Sequence, residues 1–177
     1  MGPKRSTPLL AILRSGAYPK IVRASLGCRT VQQSIQETLY PFSTCFGCGP
    51  SNSQGLHLRS YEDDGAVVAN FRPGDQHSNG MGSLNGGVIA TLLDCHSGAA
   101  VFLNSARASE TSTTFRPWVT TGLELRYRLP TFLDGPSDLW ATVLTADDAV
   151  MTVKATLSYE GKVRVQAESR WVRVAQG

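Results

Sequence analysis

The rhythm of hydrophobic and polar positions changes several times along the chain. Between residues 86 and 104, Val88, Ile89, Leu92, Leu93, Ala99, Ala100 and Leu103 recur at three- and four-residue steps, with His96 in the same stripe. That spacing predicts one long helix. Its other side carries Gly87, Ala90, Thr91, Asp94, Gly98 and Val101, mostly small residues that permit close approach by a backbone or a ligand. Short alternating runs stand on either side of this helix. GLHLRSY (55–61) and AVVANF (66–71) flank Asp63-Asp64-Gly65, a hairpin signal. After the helix come WVTTGLELRYRL, DLWATVLTA, VMTVKATLSYE and KVRVQAESRWVRV. In the first of these Leu123, Leu125, Tyr127 and Leu129 share one side, and Asp147-Asp148 and Glu160-Gly161 mark the later turns. A shorter helix is expected over VQQSIQETL (31–39), ended by Pro41; CFGCGPSNSQG (45–55), the stretch before the helix and residues 105–117 read as loops.

Two strands, a helix and four strands make an α+β chain: an antiparallel sheet with one long helix against a face. The helix is apolar over much of its circumference, so the sheet is expected to wrap around it. The 177 residues suit one domain, residues 31–177, behind a separable stretch at 1–30. A hydrophobic fraction of 41% and a charged fraction of 18% are those of a soluble globular protein. No uninterrupted apolar run reaches the roughly 20 residues of a membrane helix, so no membrane partner is expected.

The net charge of +3 divides unevenly. Residues 1–36 hold six basic side chains and no acid, whereas the rest has 11 basic against 14 acidic ones. The body lacks a basic stripe with interleaved aromatics, which argues against nucleic acid as a partner. The basic, acid-free front end fits an organellar transit peptide or a plain extension. The expected location is the cytoplasm, or the mitochondrial matrix if 1–30 is a transit peptide.

Three features bear on chemistry. Asp94 is a carboxylate in the middle of an apolar helix, where a charge is costly unless it is paired or used. Gly86-Gly87 opens that helix. Cys45-Phe-Gly-Cys48 has metal-ligand spacing, but one such pair lacks the four ligands that zinc normally takes, and Cys95 and His96 complete a set only if the fold brings them close. Two small residues in a Gly-rich turn are the simpler reading, and no metal is expected.

LNGGVIATLLD (84–94), CFGCGPSNSQGL (45–56) and VTTGLELRYRLP (119–130) together resemble the hotdog-fold acyl-CoA thioesterases, nearest to the phenylacetate-pathway (PaaI) and 4-hydroxybenzoyl-CoA type. The resemblance covers roughly residues 45–174. It implies a sheet wrapped around a central helix, an acyl-CoA substrate, no cofactor or metal, and a homodimer or tetramer. One departure is Asn85, where many relatives have histidine, so any mechanism using that histidine cannot operate here.

Thioester hydrolysis needs an activated water, donors for the developing oxyanion and a channel for the acyl and pantetheine arms. The first turn of a helix leaves backbone N–H groups unpaired at its positive end. Gly86 N–H is therefore the expected oxyanion donor, supported by Gly87, with Asn85 as the N-cap. Asp94 is expected to act as general base or, alternatively, as direct nucleophile. Asn79 is a candidate for orienting the water or carbonyl, or simply a turn residue with Gly80. Thr120 or Thr121 matches a hydroxyl position that assists the water, and Arg126 and Arg128 are candidates for coenzyme A phosphates. His57, His77 and His96 read as structural. Eight residues of helix put Gly86 and Asp94 about 12 Å apart, too far for one thioester. An antiparallel homodimer would bring Asp94 of one chain near Gly86 of the other. The alternatives are a hotdog dehydratase or hydratase, which the lack of histidine at position 85 disfavours, and a non-catalytic acyl-CoA or aromatic-ligand binding module, which Asp94 disfavours.

Overall fold

The computed structural model describes residues 32–108 and 117–174. The basic stretch 1–30, its boundary with the domain and Cys28 lie outside the described residues. Helix α1 spans Ile35–Leu39. It begins later than the sequence pattern predicts, because Ser34 caps it. The Ser34 hydroxyl accepts from Glu37 N–H at 3.2 Å while the Glu37 carboxylate accepts from Ser34 N–H at 2.9 Å, a reciprocal capping box.

Strands β1 (Ser60–Asp63) and β2 (Ala66–Phe71) follow, then helix α2 (Gly86–Ala108) and strands β3 (Trp118–Tyr127), β4 (Ser137–Ala146), β5 (Val150–Tyr159) and β6 (Lys162–Arg173). All pairings are antiparallel, in the order β1-β2-β4-β5-β6-β3. The β1–β2 turn has Asp64 and Gly65 at φ of 45° and 77°, and the β5–β6 turn has Glu160 and Gly161 at 50° and 71°. Two successive left-handed residues match the twist of the flanking strands, which is why a glycine stands second in each turn. β3 therefore lies at one edge of the sheet although it follows the helix directly.

Two expectations need correction. The strand predicted from residue 55 begins at Ser60. Leu56 and Leu58 instead donate their N–H groups to Phe46 O (2.8 Å) and Gly47 O (3.0 Å), and His57 between them has φ of 52°. Helix α2 also continues through Ala108, past the predicted end, so that residues 105–108 are helix rather than loop.

α2 packs across β2, β3, β4, β5 and β6. Leu92, Leu93, Ala99 and Val101 meet Leu139, Val153, Leu157 and Val165, all fully buried. Each such Leu or Val side chain stabilises the fold by about 1.5–3 kcal/mol. With 23 residues, α2 is long and apolar enough by length and composition to cross a bilayer; here the sheet takes the place that lipid would occupy. His96 is a core residue. Its Nε2–H donates to Val67 O at 3.0 Å and its Nδ1 meets the Ser60 hydroxyl at 3.0 Å, while Ser60 in turn accepts from Gln36 Nε2 at 3.0 Å. Burial pushes its pKa down to about 4, against the opposing effect of the Val67 bond, so the ring is neutral at pH 7.

Candidate active site

The small side of α2 is only partly covered by the sheet. Asp94 lies there, half-buried, at the wall of a cavity of about 840 Å³. Leu39, Tyr40, Phe102, Trp118 and Trp171 supply apolar walls, and Thr120, Cys45, Cys48 and Cys95 stand with Asp94. The size and mostly apolar lining suit a small-molecule or acyl site. Asp94 Oδ1 accepts from Thr120 Oγ1 at 2.7 Å. Burial raises the Asp94 pKa, the Thr120 bond opposes that rise, and the nearby Cys45 sulfur adds to it. A carboxylate with a raised pKa, one hydroxyl partner and an apolar cavity in front of it has the features of a proton acceptor.

A β-bulge sets which threonine reaches Asp94. Thr120 pairs with Trp171 and Gly122 with Arg170, leaving Thr121 as the extra residue. Thr121 Oγ1 bonds to Arg170 O at 3.2 Å and accepts from Arg170 Nη1 at 3.1 Å. The two threonines therefore have separate partners, and Thr120 is the one at the carboxylate.

At the start of α2, Asn85 Oδ1 accepts from Gly87 N–H at 2.8 Å and from Val88 N–H at 3.4 Å. This makes Asn85 the N-cap, and it engages the Gly87 amide. Among the described residues, nothing accepts from Gly86 N–H. Gly86 O accepts from Tyr127 Oη at 2.8 Å. Strand β3 thus touches both ends of the predicted site: Thr120 at the carboxylate and Tyr127 beside the free amide. Within one chain the two ends stay apart along the helix, at roughly 12 Å by helix geometry.

The remaining candidates are not gathered at the cavity. Asn79 Oδ1 accepts from Met81 N–H (2.8 Å) and Ser83 N–H (3.2 Å), holding the turn in which Gly80 and Gly82 have φ of 79°. Arg126 is exposed and ion-paired with Glu124 at 2.8 Å. Arg128 Nη2 donates to Gln166 Oε1 at 3.2 Å. His77 Nδ1 accepts from Gly74 N–H at 2.9 Å within its own loop, and His57 is exposed.

The sequence leaves one feature of the site undetected and a second one open. The first is Trp171, whose ring lies over Gly98; a Cβ at that glycine would come within 2.9 Å of the ring. The second is the Cys45–Cys48 loop, which lies directly on α2 at Thr91 and Cys95. The small residues at 87, 90, 91, 94 and 98 were the available signal, but they did not specify what approaches them.

No protein-family model and no curated protein matches the chain. Solved structures do. A thioesterase superfamily protein from Shewanella loihica is 26% identical over 71% of this chain and 98% of its own, with a TM-score of 0.54. A putative thioesterase related to phenylacetic acid degradation, from Ralstonia eutropha, is 19% identical over 79% and 99%, at 0.60. A Bacillus halodurans protein solved with CoA is 16% identical over 72% and 80%, at 0.58. The chain has the hotdog fold of the thioesterase superfamily. In this hotdog the strand beside the site, β3, is also one of the two edges of the sheet.

Proposed function

We propose that this hotdog protein hydrolyses acyl-CoA thioesters at sites shared between two copies of the chain. The observation carrying the proposal is Asp94: a half-buried carboxylate, bonded to Thr120, facing an apolar cavity of about 840 Å³. A likeness to a structure solved with CoA agrees with that substrate class.

In the reaction, Asp94 takes a proton from a water whose oxygen attacks the thioester carbonyl carbon. The carbonyl oxygen becomes an oxyanion held by the Gly86 N–H of the partner subunit. The tetrahedral species collapses, the C–S bond breaks, and the proton returns from Asp94 to the departing CoA sulfur. Direct attack by the carboxylate, through an anhydride, uses the same residues; label found in Asp94 after a single turnover in ¹⁸O-labelled water would mark that route, with water opening the anhydride at the Asp94 carbonyl.

Two observations support a dimer. β3 is a ten-residue edge strand with exposed Val119 and Tyr127, and a long free edge with apolar side chains invites a second strand. Pairing β3 antiparallel with its copy about a two-fold midway between Thr120 and Tyr127 sets each residue opposite the other's counterpart. Asp94, bonded to Thr120, and Gly86, bonded to Tyr127, then meet across the interface. Stacking the same dimer gives a tetramer. The histidines favour hydrolysis over hydration: His96 is sealed in the core, His77 is bonded within its loop and His57 is exposed.

The test is a panel of aromatic and medium-chain acyl-CoA esters, assayed with a thiol reagent. Release of CoA thiol by the native chain, lost in Asp94→Asn, supports the proposal. Tight acyl-CoA binding by calorimetry with no thiol released from any ester would refute it in favour of a binding module.

A further inference from the structure

Three cysteines, two from one loop and one from the distant helix α2, converge beside the cavity. The sulfurs of Cys45, Cys48 and Cys95 all lie within 4.8 Å of one another, and Cys45 Sγ is 3.7 Å from Cys95 Sγ. Zinc–thiolate bonds of about 2.3 Å in a tetrahedron set sulfurs about 3.8 Å apart. One edge of the group already has that length, and the rest lies within about an ångström of it. His96, next to Cys95 in sequence, is bonded to Val67 and Ser60 in the core and does not join the group.

The loop is a tight turn, closed by Gly49 N–H donating to Cys45 O at 2.9 Å, that holds the Cys45 and Cys48 sulfurs near each other. Close approach is built in as well. A Cβ at Gly47 would stand 2.4 Å from Cys95 Sγ and 2.9 Å from Thr91 Cγ2, so only glycine lets the loop seat its sulfurs against α2. Two small residues merely filling a turn would not require this. A third sulfur contributed from the helix, 47 residues after Cys48, removes the main objection to reading the Cys-x-x-Cys pair as a ligand set.

We propose that Cys45, Cys48 and Cys95 form a three-thiolate site for Zn²⁺. The fourth coordination position opens toward the cavity lined by Asp94, where water completes the tetrahedron. Binding displaces the thiol protons to solvent and changes no oxidation state. The ion ties the 45–49 loop to the central helix and so fixes one wall of the cavity. This inference stands apart from the hydrolysis proposal, because its readout is metal binding and not turnover.

The test uses the full chain, reduced without added thiol under anaerobic conditions and stripped with a chelator; intact mass confirms that the cysteines are unmodified. Zn²⁺ alone is then titrated against a chromophoric competitor, and Co²⁺ alone is used as a spectroscopic probe. The expected result is one Zn²⁺ per chain, with a Co²⁺ spectrum of tetrahedral d–d bands and thiolate charge transfer. Cys45→Ser and Cys95→Ser should each weaken Zn²⁺ binding by at least about a hundredfold, since each removes a direct ligand and not a second-layer group. Less than about a tenth of an equivalent bound by the reduced native chain at micromolar zinc would overturn the proposal whatever the variants do. So would native affinity in folded Cys95→Ser. A reduced chain that binds no zinc but forms a Cys45–Cys95 disulfide in air would assign the cluster to redox chemistry instead.

Discussion

Gly86 permits an unusually clean perturbation, because the group in question is a single backbone N–H. That N–H has no acceptor among the described residues. Gly86 is the first residue of α2 and does not occupy the left-handed region. A Cβ there would sit 3.6 Å from the Tyr127 hydroxyl, an ordinary contact. Proline is tolerated at a helix's first position, where the missing N–H costs no intrahelical bond, and the preceding cap residue is ordinarily extended, as proline requires. Gly86→Pro should therefore change stability by less than about 1 kcal/mol while deleting the oxyanion donor. Losing one such donor costs about 10²–10³ in kcat, or about 2.7–4 kcal/mol of transition-state stabilisation. Gly86→Ala is the control: it adds a comparable Cβ but keeps the N–H. The assay is thiol release from the best acyl-CoA ester at saturation, with thermal melts of each variant. The expected order is native, then Ala, then Pro, with Pro at least about thirtyfold below Ala and all three folded. A folded Gly86→Pro enzyme that keeps the turnover of Gly86→Ala would refute the role given to this amide.

Other expectations follow from single contacts. Asp94→Asn should lower kcat by at least about a hundredfold, yet its melting temperature at neutral pH should not fall, since burial that raises the Asp94 pKa makes the ionised carboxylate unfavourable to the fold; calorimetry of the variant checks this. Thr120→Val should reduce kcat by about tenfold through loss of the hydrogen bond that orients Asp94, and Thr120→Ser should restore most of it. His96 is depressed to about 4 when folded, below its ordinary value near 6.5. Its neutral form thus holds the fold fully above pH 6.5, and stability is lost as pH falls from there toward 4, by on the order of 3 kcal/mol. Denaturant unfolding between pH 7 and 4, with chelator present, should show this slope in the native chain and a flatter one in His96→Gln. Ser34→Ala should cost about 1 kcal/mol by removing the cap of α1, measurable in the same assay.

Local patterns proved easiest to read in the sequence. Three- and four-residue steps located α2 because one face of that helix must be buried, and Asp64-Gly65 and Glu160-Gly161 located their turns because each needs left-handed backbone. The isolated carboxylate stood out because Asp94 sits in the middle of an otherwise apolar helix. Long-range pairing left weaker marks. Leu56 and Leu58 alternate like a strand, but they hydrogen-bond to the Cys45 loop rather than to β2, and alternation does not identify the partner. Thr120 and Thr121 are chemically alike, and only the bulge decides which one faces Asp94. Cys45 and Cys95 are 50 residues apart, and no local rule brings their sulfurs together.

In the proposed dimer each site takes its carboxylate from one subunit and its amide from the other. Complementation between two inactive chains tests this sharing. Asp94→Asn and Gly86→Pro are unfolded and refolded together in equal amounts, and mass spectrometry verifies the mixed dimers. Random pairing makes half the dimers mixed, and each mixed dimer holds one intact site of its two, so the mixture should recover about a quarter of native activity from two nearly silent parents. A verified mixture no more active than its parents would show that both groups act within a single chain, or that one of them does not act at all.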